Sequence, residues 1–288
     1  MNDVTMTGLD VAGQGIAGLD LTAQRVPLLS FVTNGISLAV AFIIPAVLFL
    51  FMQRKFGGKK VTFFIGCLTF VIFALVLEGI FHSVILAGGR GQALMTKPLL
   101  YGLYGGFMAG LFEESGRFIA FKTVLKKSQN DDSNALMFGA GHGAFEAFYL
   151  LLVAGLTNLV FAILINTGNT ELVTKNAGAS TVESMEQIFK TLKSANPLFY
   201  LAGLVERIPA LAIHISLSIL VWFGAKNKGK WFFFPLAIFL HMLVDGVVAV
   251  LSLYKVNTIF LELLIYIFAG ALLCFAIVLW KKYGKIKE

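Results

Sequence analysis

All four histidines in this chain fall inside long apolar runs, and two of them have a carboxylate four residues further on. His142 precedes Glu146 and His241 precedes Asp245 by that spacing; Glu113 and Glu114 stand four and three residues before Arg117. On a helix each of these pairs shares a face. A charge at the centre of a bilayer costs about 2.5–3.5 kcal/mol even on the most lenient scale, so such residues usually line a cavity or a site. Neutral imidazole is a good zinc ligand, and a catalytic zinc keeps three protein ligands plus an open position for water. A neighbouring carboxylate can then take the proton of that water. The same residue types can also form hydrogen-bonded core pairs or an ion relay.

The elements that must position these groups are membrane spans. The chain has 288 residues, 58% hydrophobic and 14% charged, with 28 Phe; a soluble domain carries about 25% charged residues. Apolar runs of about 20 residues, each long enough to cross a bilayer as a helix, recur along the length. This predicts an all-α, polytopic membrane helix bundle of about seven spans, at 29–52, 61–87, 98–121, 134–165, 197–225, 231–253 and 258–280. Basic clusters follow alternate spans: Arg54, Lys55, Lys59 and Lys60; Lys122, Lys126 and Lys127; Lys226, Lys228 and Lys230; Lys281, Lys282, Lys285 and Lys287. The positive-inside rule then places the N-terminus outside and the C-terminus in the cytoplasm. It also accounts for the net charge of +7 without a nucleic-acid partner.

By this reading residues 1–28 form a short outer tail with Asp3, Asp10 and Asp20, residues 29–280 a single transmembrane domain, and 281–288 a basic cytoplasmic tail. The tail lacks the basic n-region and cleavage site of a removable signal peptide. The outer loop 166–196 contains a capping-box pattern at Ser180 and Glu183, with apolar residues at Val182, Met185, Phe189 and Leu192. That predicts a short amphipathic helix, either at the outer interface or as a lid over an entrance. Cys67 and Cys274 lie in apolar runs and read as buried thiols.

Depth sorts the polar residues into two groups. Counted from the cytoplasmic ends at 1.5 Å per residue, Glu114, His142, Glu146, His214, His241 and Asp245 sit roughly 12–21 Å into the membrane. One layer thus gathers carboxylates and three histidines from four helices, a plausible metal site. Gly102, Gly106 and Gly110, and Gly139, Gly141 and Gly143 around His142, favour close helix packing there. Glu78, His82, Glu206 and Arg207 fall toward the outer leaflet, where they suit ion pairing, for example Glu78 with Arg207, or substrate gating.

Taken in order, Glu113-Glu114-x-x-Arg117, "GHGAFEA" with His142 and Glu146, "ERIPALAIH" ending at His214, and "HMLVDG" with His241 and Asp245 resemble the YhfC-type intramembrane metalloproteases. These are grouped with the CAAX-prenyl endopeptidases and PrsW-type proteases, and the resemblance covers about residues 30–280. Two positions depart from the CAAX-type pattern: its first motif is one residue longer before the arginine, and it often has asparagine where Asp245 stands. The resemblance implies a zinc-dependent endopeptidase in a bacterial cytoplasmic membrane. Glu113 would be the general base, Glu114 an orienting or ligating carboxylate, and Arg117 the group holding both. His142 and His241 would be primary ligands with His214 the third, and Glu146 and Asp245 would be ligands or would fix the histidine tautomers. The substrate would be a membrane protein or hydrophobic peptide. Two other classes use the same residues: an ion- or proton-coupled carrier, and a non-catalytic protein of this fold that binds a membrane partner.

Overall fold

The computed structural model describes residues 25–285. The outer tail's Asp3, Asp10 and Asp20 therefore lie outside the described residues, as does Lys287. Helix α1 spans Leu28–Lys55, α2 Lys60–Ile85, α3 Gly88–Met95, α4 Pro98–Lys122 and α5 Ser133–Thr167. They are followed by α6 at Ala179–Ser194, α7 at Phe199–Lys226, α8 at Phe233–Leu253 and α9 at Thr258–Tyr283. There is no strand among the described residues. The fold is an all-α polytopic bundle, and each predicted span matches a helix to within a few residues.

Six of these helices (α1, α2, α5, α7, α8 and α9) are long and apolar enough to cross a membrane. Helix α4, the remaining predicted span, is 25 residues long. It is not apolar enough to join the six, since it carries Glu113, Glu114 and Arg117. Helix α2 is interrupted by a π-helical stretch, Val71–Glu78, a wider winding that often marks functional positions.

The chain divides into two compact units, and α1, α5 and α7 contribute to both. In Met1–Leu38 with Val153–Ala202, Phe189 and Leu192 of α6 pack with Val26, Ala162, Ile165 and Tyr200. Asn166 holds the backbone of Val26 in both directions, and Asn34 Nδ2 donates to Gly155 O at 2.9 Å. The amphipathic helix is present, but its N-cap is Gly178 in extended backbone, with no side-chain cap. Ser180 and Glu183 instead fall within the first turns of α6, past its N-cap position. The helix begins earlier because the Gly178 carbonyl accepts the first turn's N–H groups from Thr181 and Val182.

The second unit, Ala39–Leu152 with Gly203–Glu288, holds the larger core, centred on Phe121, Phe138, Trp222 and Phe223. Two glycine crossings set its helix spacing. A Cβ on Gly106 of α4 would lie 2.4 Å from the Gly246 nitrogen of α8. A Cβ on Gly141 of α5 would lie 1.9 Å from the Phe63 carbonyl oxygen of α2. These contacts bring the helices carrying Glu114 and His241 together, and set the one carrying His142 against α2. Cys67 and Cys274 are free, and Cys67 Sγ donates to Gly141 O at 3.2 Å. At one end of the unit the buried Asp132 accepts from Trp222 Nε1 (2.7 Å), Lys226 Nζ (2.6 Å) and the Lys285 backbone N–H (2.7 Å).

Candidate metal centre

Four helices of this second unit converge on one polar cluster. Helix α4 supplies Glu113, Glu114 and Arg117, α5 His142 and Glu146, α7 Arg207 and His214, and α8 His241 and Asp245. Glu114, Arg117 and His142 have no exposed surface, and Glu113, His214 and His241 are also buried. Gly143 assists the convergence: its Cβ position is 3.1 Å from His214 Cβ, so a larger residue would push α7 away.

Arg117 is the central cation. Its guanidinium bonds Glu114 Oε1 through one nitrogen. The other reaches Glu113 Oε2 at 3.3 Å and His214 Nδ1 at 2.7 Å. Three and four positions along α4 therefore suffice to clamp both carboxylates, as their spacing predicts. His142 Nε2 lies 2.8 Å from Glu113 Oε2. His214 Nδ1 faces Arg117, and its Nε2 makes a close contact with Glu146 Oε2. Glu146 is held in turn by Arg207 at 3.3 Å, and Arg207 also pairs with Glu206. His241 has a carboxylate at each nitrogen, Glu114 at 2.7 Å from Nδ1 and Asp245 at 3.2 Å from Nε2. It satisfies both only when it carries both protons.

The donor atoms of Glu113, His142 and His214 all lie within 4.8 Å of one another, and all three residues are buried. Ligands of a tetrahedral zinc site at about 2.0–2.1 Å from the ion stand about 3.3 Å apart. The separations from Glu113 Oε2, 2.8 Å to His142 and 3.7 Å to His214, bracket that value. The surroundings also fit a cation. His214 pairs with Glu146 through Nε2, the arrangement by which outer carboxylates fix metal-binding histidines, and an ion would take the place of the Arg117 contact at Nδ1. His142 Nδ1 and Glu114 Oε2, neither of which belongs to that donor set, are buried without hydrogen-bond partners. A cavity of about 330 Å³ opens beside the cluster, lined by Glu113, Glu146, Arg207, His214, His241 and Asp245 among others. Glu114 does not line it and is sealed behind Glu113 and His241.

The structure thus brings together Glu113, Glu114, Arg117, His142, Glu146, His214, His241 and Asp245. The donor atoms close enough to share one ion belong to Glu113, His142 and His214, while His241 meets a carboxylate at each nitrogen. The predicted outer group divides. Glu78 pairs with His82 at 3.0 Å, and His82 Nδ1 meets Tyr104 Oη at 2.8 Å. Arg207 does not pair with Glu78; it joins the centre through Glu146. Arg207 and His214 are two helical turns apart on one face of α7, and the long arginine spans the gap. Residue depth cannot register such reach. Tyr104 was not anticipated, although its place three residues after Tyr101 in a glycine-rich helix gives no signal of a histidine partner.

A bundle of apolar helices enclosing a buried histidine–carboxylate centre defines a class, the membrane-embedded proteins with a metal-type site. The sequence pattern described as "YhfC intramembrane metalloprotease" matches residues 40–269, and the chain belongs to that family. It is 37% identical over 211 residues to the "Uncharacterized membrane protein YhfC" of Bacillus subtilis (strain 168), covering 72% of this chain and 79% of that one. No solved structure matches. The protein is accordingly an integral, multi-pass membrane protein with a bacterial relative.

Proposed function

We propose that this protein is a zinc-dependent intramembrane endopeptidase that hydrolyses a peptide bond in a membrane-embedded or hydrophobic substrate. The observation that carries the reading is the convergence of Glu113, His142 and His214 within 4.8 Å, buried among apolar helices; the family's description agrees with it. His142 and His214 would hold the ion, with Glu113 Oε2 completing the set. Zinc at this position supplies Lewis acidity, which makes water nucleophilic near neutral pH.

The remaining steps fall to the chain's own groups. Every contact of Glu113 with Arg117, His142 and His214 uses Oε2. Oε1 is left to accept the proton of the attacking water from the cavity that Glu113 lines. His241, protonated between Glu114 and Asp245, lines the same cavity and donates a proton to the departing amine. Glu114 and Arg117 are positioning residues: Arg117 aims Glu113, and Glu114 holds His241. Glu146 and Arg207 fix the His214 tautomer. A substrate helix would have to unwind locally, because peptide groups in an intact helix are shielded by their own hydrogen bonds.

The carrier reading draws on the unbroken run of polar contacts from Arg207 through Glu146, His214, Arg117 and Glu114 to His241 and Asp245. The test is reconstituted protein with a panel of single-span membrane peptides. Cleavage that depends on bound zinc and on Glu113 is expected. Ion flux without cleavage in the same vesicles would replace the protease with the carrier.

A further inference from the structure

The second unit carries an apolar groove of about 510 Å³ on the far side of α7 from the metal centre. Its walls include Phe51 of α1, Ile215 and Ile219 of α7 and Ile277 of α9, and it ends at Trp280 and Lys281. Ile213 and His214 line the catalytic cavity while Ala212 and Ile215 line this groove, so α7 is a partition between the two. Along α7 the lining runs from Ala212 to Ile219, and along α9 from Leu273 to Lys281. At 1.5 Å per residue that is roughly 10–12 Å, within the ~15 Å that one leaflet contributes to a hydrocarbon core about 30 Å thick.

The basic end lacks a protein partner. Phe51 also lines an adjoining pocket with Arg54 and Lys55. Arg54, Lys55 and Lys281 take part in no ion pair among the described residues; the lysine and arginine pairs there are those of Arg117, Arg207 and Lys226. The groove therefore offers a narrow apolar slot one leaflet deep, ending at an indole and the unpaired Lys281, with Arg54 and Lys55 in the pocket that shares Phe51 with it. A transmembrane helix of a partner would need about 30 Å of continuous contact, and the slot stops at less than half of that.

We infer that this groove binds one acyl chain of an anionic phospholipid, with the phosphate held at Lys281 and the neighbouring Arg54 and Lys55. The acyl chain buries the apolar wall and the headgroup neutralises the cations, so one molecule satisfies both features. The occupant braces the face of α7 that backs His214. The site is independent of the peptidase reading, because it needs only the membrane and the groove.

The experiment is native mass spectrometry of the full chain, delipidated in detergent and then offered equal amounts of phosphatidylglycerol and phosphatidylcholine. Retention of about one phosphatidylglycerol per chain in clear preference to phosphatidylcholine is expected. Lys281→Ala, an exposed position, should lower that preference about five-fold. Leu273→Trp, at an exposed groove position, should block both lipids. Equal retention of the two lipids by the wild type overturns the inference, as does an unchanged preference in Lys281→Ala. A stoichiometric protein cross-linked at Ile277 in place of lipid overturns it as well. Should Leu273→Trp not fold, the wild-type preference and Lys281→Ala still decide.

Discussion

Two histidine–carboxylate groups sit in this protein with the same sequence spacing and different surroundings. Glu78 and His82 are an i,i+4 pair on one helix, joined by a single hydroxyl from Tyr104, and the His82 side chain is 32% exposed. His241 and Asp245 are also an i,i+4 pair, yet His241 is buried and meets Glu114 from a second helix, beside His214 from a third. The local pair is an ordinary way to offset the burial of a carboxylate. The convergent one adjoins Glu113, His142 and His214, whose donor atoms lie where one ion can reach them all. Spacing along a helix chooses a face; only the crossing of several helices makes a centre.

The largest expected effect separates the two groups by chemistry. Glu113→Gln should leave the fold intact and weaken zinc binding through the lost carboxylate ligand. Measured with zinc in excess, hydrolysis of a reconstituted peptide should fall by at least the roughly 10²–10⁴-fold that losing a general base costs. Glu78→Gln should stay near the wild-type rate. Full activity in Glu113→Gln would remove Glu113 from the proton-transfer step.

Arg117→Ala comes next. It leaves Glu113 and Glu114 buried without their cation, a broken buried pair worth about 3–5 kcal/mol. Thermal unfolding in detergent should show a large loss of stability, with little folded protein recovered. A melting temperature within a degree or two of the wild type would mean that the clamp is dispensable.

Metal content sharpens the contrast. Purified wild type is expected to hold about one zinc per chain; His142→Ala and His214→Ala should lose it, and His82→Ala should keep it. Glu146→Gln should weaken zinc affinity about 10–100-fold through the tautomer of His214. Equal loss from His82→Ala would erase the distinction between the groups. Retention in both His142→Ala and His214→Ala would end the zinc assignment.

The smallest effect belongs to the outer pair. Tyr104→Phe removes one neutral hydrogen bond to His82, worth about 0.5–1.5 kcal/mol net. Stability should fall by that much with no change in zinc. A zinc loss in Tyr104→Phe would tie this group to the centre after all.

The sequence by itself determined the class of fold and the cast of the site. Apolar runs of bilayer length can satisfy their backbone groups in lipid only as helices, so the spans were legible to within a few residues. The intramembrane charges at i,i+4 spacing singled out Glu113, Arg117, His142, Glu146, His241 and Asp245 because nothing else justifies the cost of burying them. Glycine positions signalled close crossings without naming the partner, which the structure supplies as Gly106 on Gly246 and Gly141 on Phe63. Only the tertiary structure decided which side chains meet. It put Arg207 with Glu146 and not Glu78, closed the ion-sized set with Glu113, and engaged both nitrogens of His241. It also revealed Asp132, which reads as a loop residue and is buried under Trp222, Lys226 and Lys285. Depth and spacing are properties of one helix at a time. Contact also depends on how helices cross and how far a side chain reaches, and neither is written in the periodicity of a single span.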